Sequence, residues 1–437
     1  MRTILNIALG MGHEIKSKIL SHICVVLLVA TFSIEGVAQN DSPYEISYPE
    51  LQYGSAPLQD AITSLQQKIG NGEVRLEFDA RRGYLDSLLQ ALNISTTSQL
   101  LVYSRTSLQQ PFISPQTPRA IYFTDNVYVA WVQQSGLLEI ASMDPNLGPV
   151  FFTLNQIESE QPRFNREFAL CLRCHDSYSL TGGGTPRFMM SSNYTGVAGQ
   201  LVSHEGSIMT TSRTPIRSRW GGWYVTGFHG EQRHLGNVLV QTAEDVSDEN
   251  LASTGNQESV AQLTNVDRYI TPYSDIVALM VIEHQVEVQN QIARANFLAK
   301  TLLADGQLAV EEKQQALSGL SDDLLRSLFM VGQPDLIDPI EGSSGFSEVF
   351  MIAGPKDQQG RSLRDLDLQT RLFKYPLSYQ IYSEAFAALP EQLLSIVIPG
   401  IDAILAGQNP RQNYGHLSEL DRQAISEIVQ ATNPFPF

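Results

Sequence analysis

Ala120-Ile-Tyr-Phe-Thr-Asp-Asn-Val-Tyr-Val-Ala-Trp-Val132 reads as two β-strands joined by a tight turn. Both arms are rich in β-branched and aromatic residues, which suit a pleated, half-buried surface. Between them, Thr124-Asp125-Asn126 supplies residues that tolerate the positive φ such a turn demands. Leu100–Tyr103 upstream and Leu137–Ala141 and Val150–Leu154 downstream continue the pattern, so the spacing predicts one antiparallel sheet. Val74–Phe78 alternates in the same way and is expected to be a further strand. Leu58–Ile69 and Tyr84–Leu92 carry apolar residues three and four apart, as helices do. Residues 39–47 are expected to lack regular structure, and 48–156 contain no phosphate loop or dinucleotide fingerprint.

Composition changes after this α+β region of residues 39–156. Residues 157–265 are irregular and rich in Gly, Ser, Thr and Arg, and so long a stretch of this kind is usually functional or wrapped around something. Residues 266–437 read as helical. Thr271-Pro272 is expected to open a long helix reaching about Leu303, with later helices over Glu311–Leu317, Asp322–Phe329, Leu377–Ala388, Glu391–Leu405 and Ser418–Ala431. The fold class is therefore α+β: an N-terminal antiparallel sheet with short helices, an irregular middle segment, and a mainly helical C-terminal region.

The haem assignment comes from Cys171-Leu172-Arg173-Cys174-His175, because C-x-x-C-H is the attachment pattern for a c-type haem. Two thiols three positions apart on a helical turn reach the vinyl groups along one porphyrin edge, and the next histidine projects toward the iron. Phe164, Phe168, Cys171 and His175 fall at offsets that predict one face of a helix leading into the motif. Three other chemistries fit the pentapeptide. A structural zinc site wants four ligands, and no second clustered pair accompanies these two cysteines. A thiol–disulfide exchange site would follow a strand and open a helix in a βαβ unit. A plain disulfide would close too small a loop to gain much.

The chain has 3 cysteines, and the third, Cys24, lies in a segment that reads as an export signal over residues 1–38. Arg2, Lys16 and Lys18 precede an apolar run from Ile23 to Ile34, and Gly36-Val37-Ala38 provides small residues for cleavage after Ala38. The run is short of the roughly 20 residues a membrane-spanning helix needs. The leader is long before its apolar run, which makes Met11 an alternative start of translation. The expected product is periplasmic or secreted, with no membrane span after cleavage. A formal net charge of −17 argues against nucleic acid and anionic membranes as partners, and suits a redox partner with a basic docking surface.

The pentapeptide resembles the c-type cytochrome superfamily. The run Arg219-Trp-Gly-Gly-Trp-Tyr-Val-Thr-Gly-Phe-His-Gly-Glu-Gln-Arg-His-Leu-Gly-Asn237, with Arg361-Ser-Leu-Arg364 and Tyr375-Pro-Leu-Ser-Tyr-Gln-Ile-Tyr-Ser383, is similar to segments of large single-haem bacterial proteins carrying one C-x-x-C-H. The resemblance implies one covalent haem c, held by Cys171 and Cys174 with His175 as proximal ligand, and electron transfer as the function. A chain far larger than one-electron carriage requires also admits a haem oxidoreductase such as a peroxidase; a thiol–disulfide enzyme without haem is the third reading. The compact three-helix cytochrome c arrangement is not visible. For the opposite side of the iron the candidates are His234, His229 and His284, then Met189, Met190, Met209 and His204, or an open position. Arg213, Arg217, Arg219 and Arg233 would serve either as partners of the haem propionates or as ordinary ion pairs.

Overall fold

The hairpin sits at the centre of a six-stranded sheet in the computed structural model, which describes residues 51–177, 184–202, 207–408 and 414–435. The export signal, residues 39–50, His204 and Gly182-Gly183 lie outside the described residues. Strands β1 (Leu100–Val102), β2 (Arg119–Phe123), β3 (Val127–Trp131), β4 (Leu137–Asp144), β5 (Gly148–Asn155) and β6 (Phe164–Arg166) form an antiparallel meander in chain order. Phe123 pairs with Tyr128 across the turn, and Tyr128, Ala141 and Phe151 stand side by side on one face. The opposite face, with Tyr122, Val129, Ile140 and Phe152, is wholly buried. Val74–Phe78 alternates as expected, burying Leu76 while Arg75 and Glu77 face out. Among the described residues no strand pairs with it, so it is an extended segment and not a strand.

Helices α1 (Ala61–Gly70) and α2 (Leu85–Ala91) follow the expected spacing, and α1 packs beside β4. Its start is set by Asp60, whose carboxylate accepts from Ile62 N at 2.8 Å and Thr63 N at 3.3 Å. After the short helices α3 (Ala169–His175) and α4 (Asp248–Gly255) comes α5 (Ile276–Ala304), buried on nearly every side. It begins four residues after Pro272 because Asp275, not the proline, caps it. One Asp275 oxygen accepts from Val277 N (2.8 Å) and Ala278 N (3.3 Å), the other from Ser343 N (2.7 Å), Ser344 N (2.8 Å) and Ser344 Oγ (2.9 Å). Gln285 and Gln289 of α5 bind Tyr128, which lays the helix on the Tyr128–Phe151 face. Gly148, at φ +76°, lets the β4–β5 turn meet α5, since a Cβ there would lie 2.8 Å from Ala293 Cβ.

The C-terminal region is helical, with two differences from the sequence reading. Glu311–Leu317 and Asp322–Phe329 are one helix, α6 (Val310–Leu328); its Gly319 meets no crowding and does not break it. Leu377–Ala388 is a 3-10 turn followed by the single-turn helix α8 (Glu384–Ala387), and α7 (Phe346–Ile352) was not expected. Helices α9 (Glu391–Leu405) and α10 (Glu419–Thr432) stand where predicted. One apolar cluster runs through the molecule from Leu51 to Val429, so all three regions of the chain share a core. No helix among the described residues is long and apolar enough to cross a membrane.

Candidate functional site

β6 delivers the chain to the motif. Phe164 pairs with Leu154 of β5, and Glu167 N donates to the Phe151 carbonyl at 2.9 Å. Phe164 is therefore a strand residue and Phe168 the cap of α3, which corrects the expected helical run from Phe164 to His175. Phe168 is pinned instead by Tyr53, edge to face at 6.4 Å, and by the Arg166 guanidinium 4.6 Å over its ring. Leu172 is the buried residue of α3 and anchors it to the core.

Cys171 and Cys174 are one helical turn apart, both are free thiols, and Cys174 is exposed. Burial, reinforced by the nearby Glu139 and Glu167 carboxylates, pushes the half-buried Cys171 thiol up to about 12. His175 is fixed by a two-bond clamp. Its Nδ1 lies 2.6 Å from the Arg187 carbonyl, and Arg187 N donates to the His175 carbonyl at 2.9 Å. A carbonyl only accepts, so Nδ1 carries the hydrogen and Nε2 keeps its lone pair. Burial holds the imidazole below its ordinary pKa, in the neutral form. Its ring rests on Phe151 at 4.4 Å, which in turn meets Phe188.

Beside α3 the sheet is only half covered. Ile121, Leu137 and Ala141 are partly exposed around the Arg119–Glu139 ion pair at 3.1 Å. Arg119 Nε and Glu139 Oε1 are buried without a hydrogen-bond partner, and so are Asp176 Oδ1 and Arg187 Nε next to the motif. Buried polar atoms are ordinarily paired, so these four are exceptions, as are both ring nitrogens of His229 and Nε2 of His234.

The other candidates lie elsewhere. His229 and His234 are buried together, rings edge to face at 4.8 Å, with Trp220 5.3 Å from His234. Gly236 N donates to His234 Nδ1 at 3.0 Å, and burial lowers both histidines, His234 to about 3. Their segment runs along β1, where Trp223 bridges Val102, and β1 is four strands from the Phe151 on which His175 rests. His284 has both nitrogens engaged, Nε2 with Ser378 Oγ at 2.8 Å and Nδ1 with Gln333 Nε2 at 3.2 Å. With both nitrogens spent, it is a paired core residue. Met189 is half-buried, Met190 buried and Met209 exposed on the short strand Ser207–Met209.

All four loop arginines are ion-paired: Arg213 with Glu287, Arg217 with Asp248, Arg219 with Glu283 and Arg233 with Glu231. Trp220 and Trp223 are core residues. Helical spacing turns Met280, Glu283 and Glu287 away from Gln285 and Gln289, and a cavity on that far side of α5 is lined by Ser212, Arg219, Met280, Gln333 and His416. Among the described residues, no group of three or more His, Cys, Asp or Glu side chains converges to hold a metal ion, which the zinc alternative would need.

Arg187, Phe151 and Glu139 were not anticipated. The backbone clamp that brings Arg187 to His175 spans 12 positions, and no local pattern announces it. Comparison of the chain with family models, curated proteins and solved structures returns no match. The reading of the site rests on its residues and their geometry.

Proposed function

We propose that the protein is an exported monohaem c-type cytochrome that transfers electrons through covalently attached haem, to or from a redox partner with a basic docking surface. The observation that carries this reading is His175, a neutral imidazole whose Nδ1–H is committed to a backbone carbonyl and whose Nε2 is left for a metal. It directly follows two free thiols spaced one turn apart on α3. Cys171 and Cys174 would hold the haem as thioethers and His175 would be the proximal ligand. The half-open strip of the sheet, with Ile121, Leu137 and Ala141 around the Arg119–Glu139 ion pair, offers apolar surface to a flat group. When bound, haem supplies one-electron chemistry, while the protein sets ligand, dielectric and access.

The thiol–disulfide reading draws support from β6, since a strand precedes the motif helix. Two features oppose it. The strand that follows α3, Ser191–Asn193, lies in a separate antiparallel pair with Ser207–Met209, so β6 and α3 are not part of a βαβ unit, and a Cys171 thiol pushed up to about 12 is the reverse of the depressed pKa that exchange catalysis uses. A haem oxidoreductase of peroxidase type is favoured by one observation: the described contacts bring none of His229, His234 and His284 to His175. Absorption and magnetic circular dichroism spectra of the exported protein test these readings together. A six-coordinate low-spin haem unresponsive to peroxide is the expected result. A high-spin ferric haem that binds cyanide would move the assignment to the oxidoreductase, and a haem-free protein would overturn both.

A further inference from the structure

The loop arginines named from the sequence are spent in ion pairs, and the structure offers another cation at the motif. Arg187 is joined to His175 by both backbone bonds, so its side chain departs from the residue that would lie beneath the iron. Its guanidinium is half-buried, and Nε is buried with no hydrogen-bond partner. Asp176 acts on it electrostatically, yet Asp176 Oδ1 is itself unpartnered. Arg294 is a second cation acting on Arg187, and Arg119, which acts on His175, is already held by Glu139. A guanidinium with uncommitted N–H groups in a half-buried place is matched by a carboxylate, which it takes through two parallel hydrogen bonds.

Resting on the haem reading above, we propose that Arg187 binds a carboxylate of the bound group, a haem propionate, and so fixes how the porphyrin is turned over α3. The positive charge beside the propionate would also favour the reduced, less positive iron.

The test compares wild type with Arg187→Gln, Arg187→Lys and, as a control in an exposed ion pair, Arg217→Gln. Covalent haem is read on denatured protein, the midpoint potential by redox titration, and the propionate bending band by resonance Raman. Arg187→Gln is expected to keep its haem, show a lower midpoint potential and a displaced propionate band, while Arg217→Gln matches wild type. Arg187→Lys keeps the charge but loses the fork, so its potential should stay near wild type while its propionate band moves; it carries the test if the Gln variant does not fold. Haem-loaded Arg187 variants with wild-type propionate bands would overturn this assignment and leave the haem reading standing. Wild type without covalent haem would overturn the haem reading and this inference with it.

Discussion

The histidine and arginines around α5 and the histidine and arginine of the motif are made of the same side chains and treated in opposite ways. On the far side of α5, Arg219 gives Nε to the Thr214 carbonyl, one terminal nitrogen to Glu283 and the other to the Ser212 carbonyl, and it is buried. His284 spends both ring nitrogens on Ser378 and Gln333. At the motif, His175 spends one nitrogen, Arg187 leaves Nε unpaired and the two thiols are free. A buried polar group left unmet costs roughly 1–3 kcal/mol, so a fold retains such groups most readily where a ligand meets them. The first region spends nearly all of its polar groups on structure, Glu283 Oε1 being the exception, and the second keeps the groups that the haem reading needs.

The largest expected effect comes from breaking the closed region. Arg219→Ala would leave the Glu283 carboxylate buried without its partner, and should lower stability by about 3–5 kcal/mol in urea unfolding. A loss within experimental error would show that this network is not what holds α5. Asp275→Ala comes next. It removes the α5 cap and the acceptor for Ser343 and Ser344, and a loss of about 3 kcal/mol is expected by the same measurement.

Acid should act on the closed region too. Burial depresses His284 to about 4 and His234 to about 3, from an ordinary 6.5. Below about pH 6.5 the unfolded chain therefore takes up protons that the folded chain refuses. Stability is full at neutral pH and falls as pH drops toward 4, by up to about 1.4 kcal/mol per pH unit for each histidine. Urea midpoints recorded from pH 7 to pH 4 should show this slope, and His284→Asn should have a shallower one. An unchanged slope would remove His284 from the explanation.

The smallest effect on stability belongs to the open region. Cys174 is exposed and unpaired, so Cys174→Ser should shift the unfolding midpoint of haem-free protein by less than about 0.5 kcal/mol. It should nonetheless cost one of the two covalent links to haem. A large loss of stability in the haem-free variant would place Cys174 with the structural residues and erase the contrast.

What the sequence revealed follows the same division. The sheet was legible because its strands are rich in β-branched and aromatic residues, show two-residue alternation in β2 and β4, and are neighbours in the chain. Val74–Phe78 has the same alternation, and its burial pattern is right, but a strand also needs a partner, which local sequence does not report. Phe164, Phe168, Cys171 and His175 have helical spacing by coincidence, since a strand and a cap fill the first two positions. The thiols and His175 were legible because their chemistry is local, three residues within one helical turn. Arg187 was not, because its place depends on how the chain returns to His175 after the motif. His284, Arg213, Arg217 and Arg219 look like candidates in the sequence because the partners that occupy them are distant in the chain, whereas Arg233 pairs with Glu231 two positions away.

The central claim is that Cys171 and Cys174 hold a haem, and intact mass spectrometry of the exported protein under denaturing conditions tests it most directly. The account predicts a mass exceeding that of the processed chain by one haem, with the increment lost when both cysteines are replaced by serine. A processed chain of unmodified mass, carrying two titratable thiols or a disulfide, would contradict it.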